Sequence, residues 1–504
     1  MAPRRALAAL LAVLAGLNLA VFFIRIVWLS QHAATLPLPG DSISAYALWR
    51  LRHGHAIYEW LTRPYFSFAP YNFLFYPLYS WFIDAFRVPD EQILWVARLP
   101  TPLFAMLGAW AQYRVTAFVA VRSYGRHERT LTMLLAFSTW LGCGVVSWWG
   151  LSIRPDVAAA ALATAGLSAC VIGAESRRAA LDATAGVAFA AAWAFKQSYV
   201  MFCAAAIVHA ALRRRSAKTL ALLGAPLVLT AACALAFGSG PYRFDVFVAQ
   251  TLDAIHPYDV QFWVRGDVLP NLLVWGIPIW SLVADSRGSR PGALDVIVLA
   301  AIFSGTWTLL TIGKAGSSNN YLIEPSAAFS VWCGIALSGY ASRGGRESAR
   351  ALKAAAWMAV PMILFPVGLL IRGEYALSHA IGLRARSETL TLGRRGELER
   401  RRALASRIAQ LAAPVYIDDE PLSLPWHTNH NEYPALVIDH VLYDPAERKG
   451  LVVGGLAGLV RERYFASLLL SKDSTLVPIA IASGYRRIED IAAPVDGVLD
   501  IYLR

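Results

Sequence analysis

An acidic residue, Asp41, follows the first apolar stretch of the chain by about a dozen positions. The segment after it, Ala47 to Trp60, has an amphipathic helical pattern, and the surrounding loop runs from about residue 30 to 96, far longer than most connections. A carboxylate at the edge of an apolar bundle can cap a helix or act as a general base. As a cap alone, Asp41 would be replaceable by Asn with little loss of stability. The combination predicts an active site at a membrane surface.

Three clusters of basic and polar residues border later apolar stretches. They are Arg154 with Asp156, Lys196 with Gln197, and Lys314 followed by Asn320, Tyr321 and Glu324. Ionisable groups at such positions are costly in lipid and are expected to be functional. Each residue alone could equally be an ion pair or a snorkelling side chain at the end of a span. Together, basic groups at headgroup depth suit a lipid-linked phosphate, through charge-assisted bonds of about 1.5–3 kcal/mol each.

The elements that must position these residues are transmembrane helices. Of 504 residues, 57% are hydrophobic and 16% charged, and the mean hydropathy is +0.46, values typical of a membrane protein. Eleven stretches are long enough, or nearly so, to cross about 30 Å of hydrocarbon. They are residues 6–29, 97–121, 130–150, 155–174, 180–195, 198–212, 218–238, 268–285, 293–313, 320–340 and 353–371. The stretches 180–195 and 198–212 could instead form one helix.

The net charge of +12 could suggest a nucleic-acid partner, but its distribution indicates membrane orientation instead. Basic residues recur in alternate loops, while the opposite short loops are nearly free of them, as the positive-inside rule requires. The N-terminus is therefore predicted to be cytoplasmic, in a bacterial inner membrane. The loops 30–96 and 239–267 and everything after residue 372 are predicted on the outer face. The first span is too long for an ordinary signal core and is expected to be an uncleaved anchor.

The predicted organisation is an all-α polytopic membrane domain, residues 1–371, followed by a small extracytoplasmic α/β or α+β domain, residues 372–504. Within the first outer loop, the helix after Asp41 and a second helix from Phe73 to Phe86 are predicted to lie at the membrane interface. All five cysteines fall inside predicted spans, which leaves no disulfide or thiolate metal site in the outer loops.

The order of several short motifs resembles the GT-C superfamily of polytopic glycosyltransferases over roughly residues 1–371. The likeness is closest to bacterial members akin to protein O-mannosyltransferases and aminoarabinose transferases. The motifs are the early acid Asp41, the Tyr46…Arg50-Leu51…Gly54…Tyr58 run, Tyr76-Pro77-Leu78-Tyr79, Ala97-Arg98-Leu99-Pro100, Arg154-Pro155-Asp156, Phe195-Lys196-Gln197 and Asn320 to Pro325. One departure is Ser42, which stands where relatives often carry a second acid.

The resemblance implies an inverting transfer of a sugar from a polyprenyl-phosphate donor to a hydroxyl of a lipid, glycan or protein. Asp41 would accept the proton of that hydroxyl, and Arg154, Lys196 and Lys314 would hold the donor phosphate. The remaining candidates would bind substrate; they are Tyr46, Tyr71, Tyr76, Tyr79, Asp156, Gln197, Asn320, Tyr321 and Glu324. No cofactor is expected. A divalent metal is possible, but a single carboxylate supports one poorly, so we expect metal independence.

Two other function classes remain open on the sequence. A transporter or flippase of lipid-linked sugars usually shows internal repeats and broken helices at mid-membrane, and the sequence has no evident repeat. An O-antigen ligase or polymerase tends to place its large outer loop late among the spans, whereas here the long loop comes first.

Overall fold

Helices form most of the chain in the computed structural model. It describes residues 2–32, 41–60, 68–124, 129–251, 255–268, 271–284, 292–314, 319–343, 349–350, 352–360, 406–417, 455–492 and 498–504. The helices of the first outer loop and of the first spans are α1 (Ala2–His32), α2 (Asp41–Arg52), α3 (Phe75–Phe86), α4 (Ile93–Val96), α5 (Pro100–Tyr124), α6 (Arg129–Trp140) and α7 (Gly144–Trp149).

The later helices continue the bundle. They are α8 (Asp156–Ser176), α9 (Ala179–Phe195), α10 (Met201–Leu212), α11 (Ala217–Phe237), α12 (Gly240–Arg243), α13 (Pro257–Val268), α14 (Leu272–Ala284), α15 (Gly292–Thr311) and α16 (Ile323–Arg343), and residues 352–360 are also helical. A π-helical turn at Phe244–Val248 lies in the second outer loop, and a 3₁₀ turn at Asn319–Leu322 leads into α16.

Each apolar stretch predicted from the sequence coincides with helix where the structure describes it. Five helical segments are long and apolar enough to cross a membrane, or six if a bent pair forms one span, among the described residues. The chain is thus a multi-pass membrane protein, and the count of eleven spans stays a prediction. The stretch 130–150 is interrupted, because α6 ends at Trp140 and α7 begins at Gly144.

The antiparallel helices α8 and α9 position several candidate site residues at one end of the pair. These helices approach closely because their facing residues are small: a Cβ atom at Gly166 would come within 2.6 Å of the Phe189 ring. Helix α9 stops at Phe195, since Lys196 has extended backbone angles (φ −146°, ψ 119°), and α10 restarts at Met201. The structure therefore has two helices here, as the eleven-span interpretation requires, with Lys196 and Gln197 in the turn between them.

Helix α2 is more deeply placed than the sequence suggested. We expected a helix lying flat at the interface with one polar side, but Asp41, Ser42 and every residue from Ser44 to Arg50 are buried. The reason is that α2 packs against α3 and α4 of the same loop and joins the main apolar core of the bundle. The helix ends at Arg52, two residues before Gly54, which adopts a left-handed conformation (φ +74°).

The C-terminal part contains a mixed sheet in the order β1-β2-β4-β3. Its elements are β1 (Val415–Ile417), α17 (Gly455–Arg461), β2 (Ser467–Ser471), α18 (Leu476–Ala482), β3 (Arg486–Ala492) and β4 (Val498–Leu503). Strands β1 and β2 are parallel, and the other two pairs are antiparallel. Its core includes Phe68 and Ala249, so this region packs on both outer loops. The proposed domain boundary at residue 372 lies outside the described residues.

Candidate active site

Asp41, the first residue of α2, forms a buried ion pair with Arg98, which lies in the turn between α4 and α5. The Nε and one Nη of Arg98 donate to Oδ2 of Asp41 at 3.0 and 2.8 Å, and the backbone N–H of Ile153 donates to Oδ1 at 2.8 Å. Neither side chain is more than 2% exposed. These bonds tie together three segments that are distant in sequence.

This pairing changes what Asp41 can be expected to do. Burial raises the pKa of the Asp41 carboxyl, while the charge and hydrogen bonds of Arg98 and the amide of Ile153 act against that rise. Removing the charge of Asp41 would leave the Arg98 guanidinium buried without it. Because the pairing with Arg98 goes beyond helix capping, we now expect replacement of Asp41 by Asn to cost stability.

Arg154 follows one residue after the Ile153 amide that binds Asp41, and it stacks on an aromatic ring. Its guanidinium carbon lies 4.7 Å from the ring centroid of Trp149, the last residue of α7. The Nε atom is buried and has no hydrogen-bond partner in the part of the chain that the structure describes. Within that part, Arg154 also forms no ion pair, although Asp41, Asp156 and Tyr71 lie within electrostatic range. It is a cation available to an anionic ligand.

Asp156 and Lys196 form a second buried ion pair at the same end of the bundle. Lys196 Nζ hydrogen-bonds Asp156 Oδ1, and Asn320 Nδ2 donates to the same oxygen at 2.9 Å. The ammonium group also lies 4.8 Å from the ring centroid of Tyr321. The other oxygen of Asp156, Oδ2, is buried and has no partner among the described residues. Helix α8, the turn after α9 and the 3₁₀ turn before α16 thus contribute to one polar cluster.

Glu324 adjoins this cluster from the first turn of α16. Its carboxylate lies near the amides of Met201 and Phe202, which begin α10, and within electrostatic range of Lys196. The residue is only 5% exposed, and its Oε1 has no partner within the described residues. Glu324 therefore keeps an acceptor atom beside the cluster.

The tyrosines of the first outer loop have different positions. Tyr71 is within electrostatic range of Arg154, Lys196 and Tyr321, and its ring stacks on Tyr76 at 6.2 Å. Tyr71 and Tyr76 therefore border the cluster.

Tyr79 and Tyr46 make contacts that support the loop. The hydroxyl of Tyr79 bonds Thr101 Oγ1 at 2.9 Å, and Thr101 donates to the carbonyl of Ser152 at 2.7 Å. This holds the turn that presents Ile153 and Arg154. Tyr46 contacts Arg50, whose guanidinium donates to the Tyr46 hydroxyl at 3.3 Å.

Gln197 and Lys314 connect the outer segments. Gln197 Nε2 donates to the carbonyls of Pro70 at 3.1 Å and Val246 at 2.8 Å, so it links the first and second outer loops beside Lys196. Lys314 pairs through its backbone with Ile255 of the second outer loop and is partly exposed. The predicted phosphate contact of Lys314 stays a prediction.

Sequence reasoning did not select Arg98, Trp149 or Asn319 as site residues. Arg98 appeared only within a motif of the superfamily, and no periodicity marked it as the partner of Asp41. Trp149 resembled any aromatic residue near the end of a span. Asn319 stands beside Asn320, yet the two amides bind different partners, Trp149 and Asp156.

The described residues contain no group of three or more His, Cys, Asp or Glu side chains that could hold a metal ion. Asp41 and Asp156 each have a cationic partner at hydrogen-bond distance instead. The expected independence from metals stays a prediction that activity assays with a chelator would test.

Comparisons with known proteins agree with this architecture. No protein-family model matches the chain, and no curated protein does. The crystal structure of ArnT from Cupriavidus metallidurans bound to undecaprenyl phosphate superposes with a TM-score of 0.59 at 15% identity, over 97% of each chain. The apo structure of the Archaeoglobus fulgidus oligosaccharyltransferase superposes with a TM-score of 0.58 at 11% identity, over 92% of this chain and 69% of that one. The resemblance is confirmed at the level of the fold, which this chain shares with these solved structures.

Proposed function

We propose that the chain is an inverting membrane glycosyltransferase. It transfers a sugar from a polyprenyl-phosphate donor to a hydroxyl of an envelope lipid, glycan or protein, on the outer face of the bacterial cytoplasmic membrane. The fold supports the class of enzyme, and the polar cluster supports the type of donor. The solved relative with undecaprenyl phosphate bound shows that this fold can take a lipid phosphate.

The observation that carries this proposal is that Arg154 forms no ion pair among the described residues, although it is a cation of the polar cluster. Two of the three cations at the cluster, Arg98 and Lys196, form ion pairs with Asp41 and Asp156. Arg154 has no such pair among the described residues, and its buried Nε lacks a partner. A buried donor without an acceptor costs about 1–3 kcal/mol, which an anionic ligand would recover. A phosphate matches this need because a guanidinium edge can bind two of its oxygens at once.

Asp41 supplies the base in this proposal. The acceptor hydroxyl attacks the anomeric carbon, a new C–O bond forms, and the bond from that carbon to the phosphate oxygen breaks. The hydroxyl proton moves to Asp41, and polyprenyl phosphate leaves with the electron pair. Each carboxylate oxygen has two lone-pair sites, so Asp41 can accept a proton while Arg98 and Ile153 still hold it in place. General-base catalysis of this kind commonly contributes 10²–10⁴-fold in rate.

The other predicted residues bind the two substrates in this proposal. Lys196 neutralises the departing phosphate together with Arg154, and Asp156 and Asn320 fix its position. Fixed charges act most strongly where water is partly excluded, as around Lys196, which is 6% exposed. Lys314 approaches the donor from the side of the second outer loop. The aromatic residues around Tyr71 and Tyr76 flank the sugar or the first isoprene units.

The experiment that tests the function compares envelope lipids and glycans from a strain that lacks the gene. Mass spectrometry of that strain, complemented with the wild type or with Asp41→Asn, identifies the sugar and the acceptor. We expect one glycan modification to disappear in the deletion strain, to return with the wild type and to stay absent with the variant, at matched protein levels. An unchanged glycan and lipid profile in the deletion strain would contradict the proposal.

Orientation is tested separately with a reporter that is active only outside the cytoplasm. We expect activity when the reporter is fused after Ser387 and none when it is fused after Arg215. Activity at both positions, or the reverse pattern, would contradict the outer-face placement of the site.

A further inference from the structure

A chain of hydrogen bonds leads from the second outer loop to the ring beneath Arg154. Asn319 Nδ2 donates to Asp267 Oδ1 at 2.9 Å, and Trp149 Nε1 donates to Asn319 Oδ1 at 2.8 Å. The indole of Trp149 then lies 4.7 Å from the guanidinium carbon of Arg154. Asp267 is 9% exposed, so this chain is largely shielded from water. This chain of contacts thus connects Arg154 with three elements: α7, the 3₁₀ turn before α16, and α13.

The donors and acceptors in this chain define its direction. A carboxylate can only accept hydrogen bonds, so Asp267 selects the amide nitrogen of Asn319 as its partner. The amide oxygen is thereby turned toward Trp149, whose indole N–H can only donate. The orientation of the Trp149 ring therefore depends, through Asn319, on the position of the Asp267 carboxylate.

Helix α7 is held at its other end by the same region of the second outer loop. Asn271 Oδ1 accepts from the backbone N–H of Gly144 at 2.6 Å, and Asn271 Nδ2 bonds the carbonyl of Asp267 at 2.5 Å. The first residue of α7 is bound by Asn271, and the last, Trp149, is bound by Asn319. The short helix is therefore fixed at both ends relative to Asp267.

We propose that Asp267 and Asn319 are positioning residues that hold Trp149 under Arg154, so that the guanidinium keeps an edge available for the donor phosphate. This inference rests on the proposed function, because it assigns the phosphate to Arg154. A guanidinium stacked on an aromatic face is held in a plane, and its N–H groups remain free to bind oxygens at the rim of that plane. Without the hydrogen bond that Trp149 donates to Asn319, the ring can turn and the guanidinium loses its fixed orientation.

The test measures the binding of undecaprenyl phosphate to purified full-length protein in detergent, with undecaprenol as the probe that lacks phosphate. Arg154→Ala should raise the Kd for undecaprenyl phosphate about ten- to a hundredfold, since a charged hydrogen bond is lost. Asn319→Leu and Trp149→Phe should each raise it about three- to tenfold, because both remove the same bond and Phe retains a ring. Affinity for undecaprenol should not change in any variant.

A matched control is available at Trp140. Its Nε1 also donates a hydrogen bond of 2.8 Å, to the carbonyl of Ala105, but the ring lies in the core between α5 and α6. Trp140→Phe should leave the Kd unchanged among correctly folded molecules. An equal rise in Kd for Trp140→Phe and Trp149→Phe would overturn the proposal. It would mean that loss of any buried indole hydrogen bond weakens binding by destabilising the protein as a whole.

A double-mutant cycle separates positioning from general support of the fold. In the Arg154→Ala background, Asn319→Leu should change the Kd by less than about twofold, because the group that it positions is gone. An equal effect of Asn319→Leu with and without Arg154, or no effect in the wild-type background, would overturn the positioning role alone. If Arg154→Ala itself leaves the Kd unchanged, the phosphate site is wrong and the positioning role falls with it.

Discussion

The two ends of the α8–α9 pair both carry buried ion pairs, but they differ in how completely the charges are matched. At the end away from the candidate site, Arg215 donates to both oxygens of Asp182 at 3.2 and 3.0 Å, and Thr219 adds a third bond at 3.5 Å. At the site end, Lys196 binds one oxygen of Asp156, the other has no partner among the described residues, and Arg154 adds a further cation.

This difference distinguishes a structural ion pair from a binding site. A bidentate pair satisfies its carboxylate and needs nothing else. A cluster with a cation outside any ion pair and with unsatisfied buried atoms is costly by itself, so it is expected where a ligand completes it. The arginine that contributes most to stability and the arginine that contributes most to binding should therefore lie at opposite ends of the same two helices.

The largest effect should come from Asp41→Asn, which removes the proposed base. We expect transfer from a polyprenyl-phosphate sugar to fall at least about a hundredfold. The uncompensated Arg98 should also lower the free energy of unfolding, by about 3–5 kcal/mol if the pair behaves as other buried pairs do. Turnover and thermal stability in nanodiscs measure the two effects.

The double variant Asp41→Asn/Arg98→Gln is the control for that experiment. It removes both charges, so it should recover part of the stability without recovering activity. Near wild-type transfer by either variant at matched folded protein would show that Asp41 is not the base.

Arg154→Ala and Arg215→Ala should show opposite signatures. Arg154→Ala should weaken donor binding by about 1.5–3 kcal/mol, roughly ten- to a hundredfold, with little change in stability, because Arg154 has no ion pair within the described residues to lose. If phosphate charge grows as the glycosyl bond breaks, kcat should fall as well as KM rise. Arg154→Lys should restore only part of the binding, since lysine lacks the planar fork.

Arg215→Ala should lower the stability of the protein without weakening donor binding. Asp182 is 1% exposed, so losing its partner should cost about 3–5 kcal/mol of stability while the KM for donor stays unchanged in the folded fraction. A donor titration with thermal unfolding of both variants measures this. Equal losses of stability in the two variants would contradict the contrast between the two ends.

The pH dependence of transfer should reflect the balance of charges at Asp41. Burial raises the pKa of its carboxyl above the ordinary value of 3.8, and the base must be ionised to act. The value of kcat/KM should therefore fall as the pH is lowered, with a midpoint above 3.8. Arg98→Gln removes the cation that lowers this pKa, so the midpoint should move to higher pH. A midpoint that moves to lower pH in a pH–rate profile would contradict this arrangement.

The smallest effect should come from Lys314→Ala. Lys314 is partly exposed, and an exposed charge pair is worth about 0–1 kcal/mol, so we expect at most about a fivefold rise in the KM for donor. Donor titration of Lys314→Ala beside Lys196→Ala measures the difference. A larger effect for Lys314 than for Lys196 would move the phosphate toward the second outer loop.

Local sequence patterns were enough to predict the membrane class, the position of most helices and which candidate residues share one end of the bundle. These properties depend on local patterns: a continuous apolar run of about twenty residues forms a helix in lipid, because a helix satisfies all backbone hydrogen bonds within the segment. The break between α9 and α10 at Lys196 could also be predicted, since two charged or polar residues interrupt the apolar run there.

The partners of the charged residues, in contrast, are seen only in the folded structure. The pairing of Asp41 with Arg98 joins residues 57 positions apart, and that of Asp156 with Asn320 joins residues 164 apart. Sequence spacing carries no information about such contacts, because they depend on how the helices pack. For the same reason the sequence showed three similar basic clusters. The structure shows one lysine in an ion pair, one arginine without an ion pair among the described residues, and a tryptophan ring against which that arginine lies.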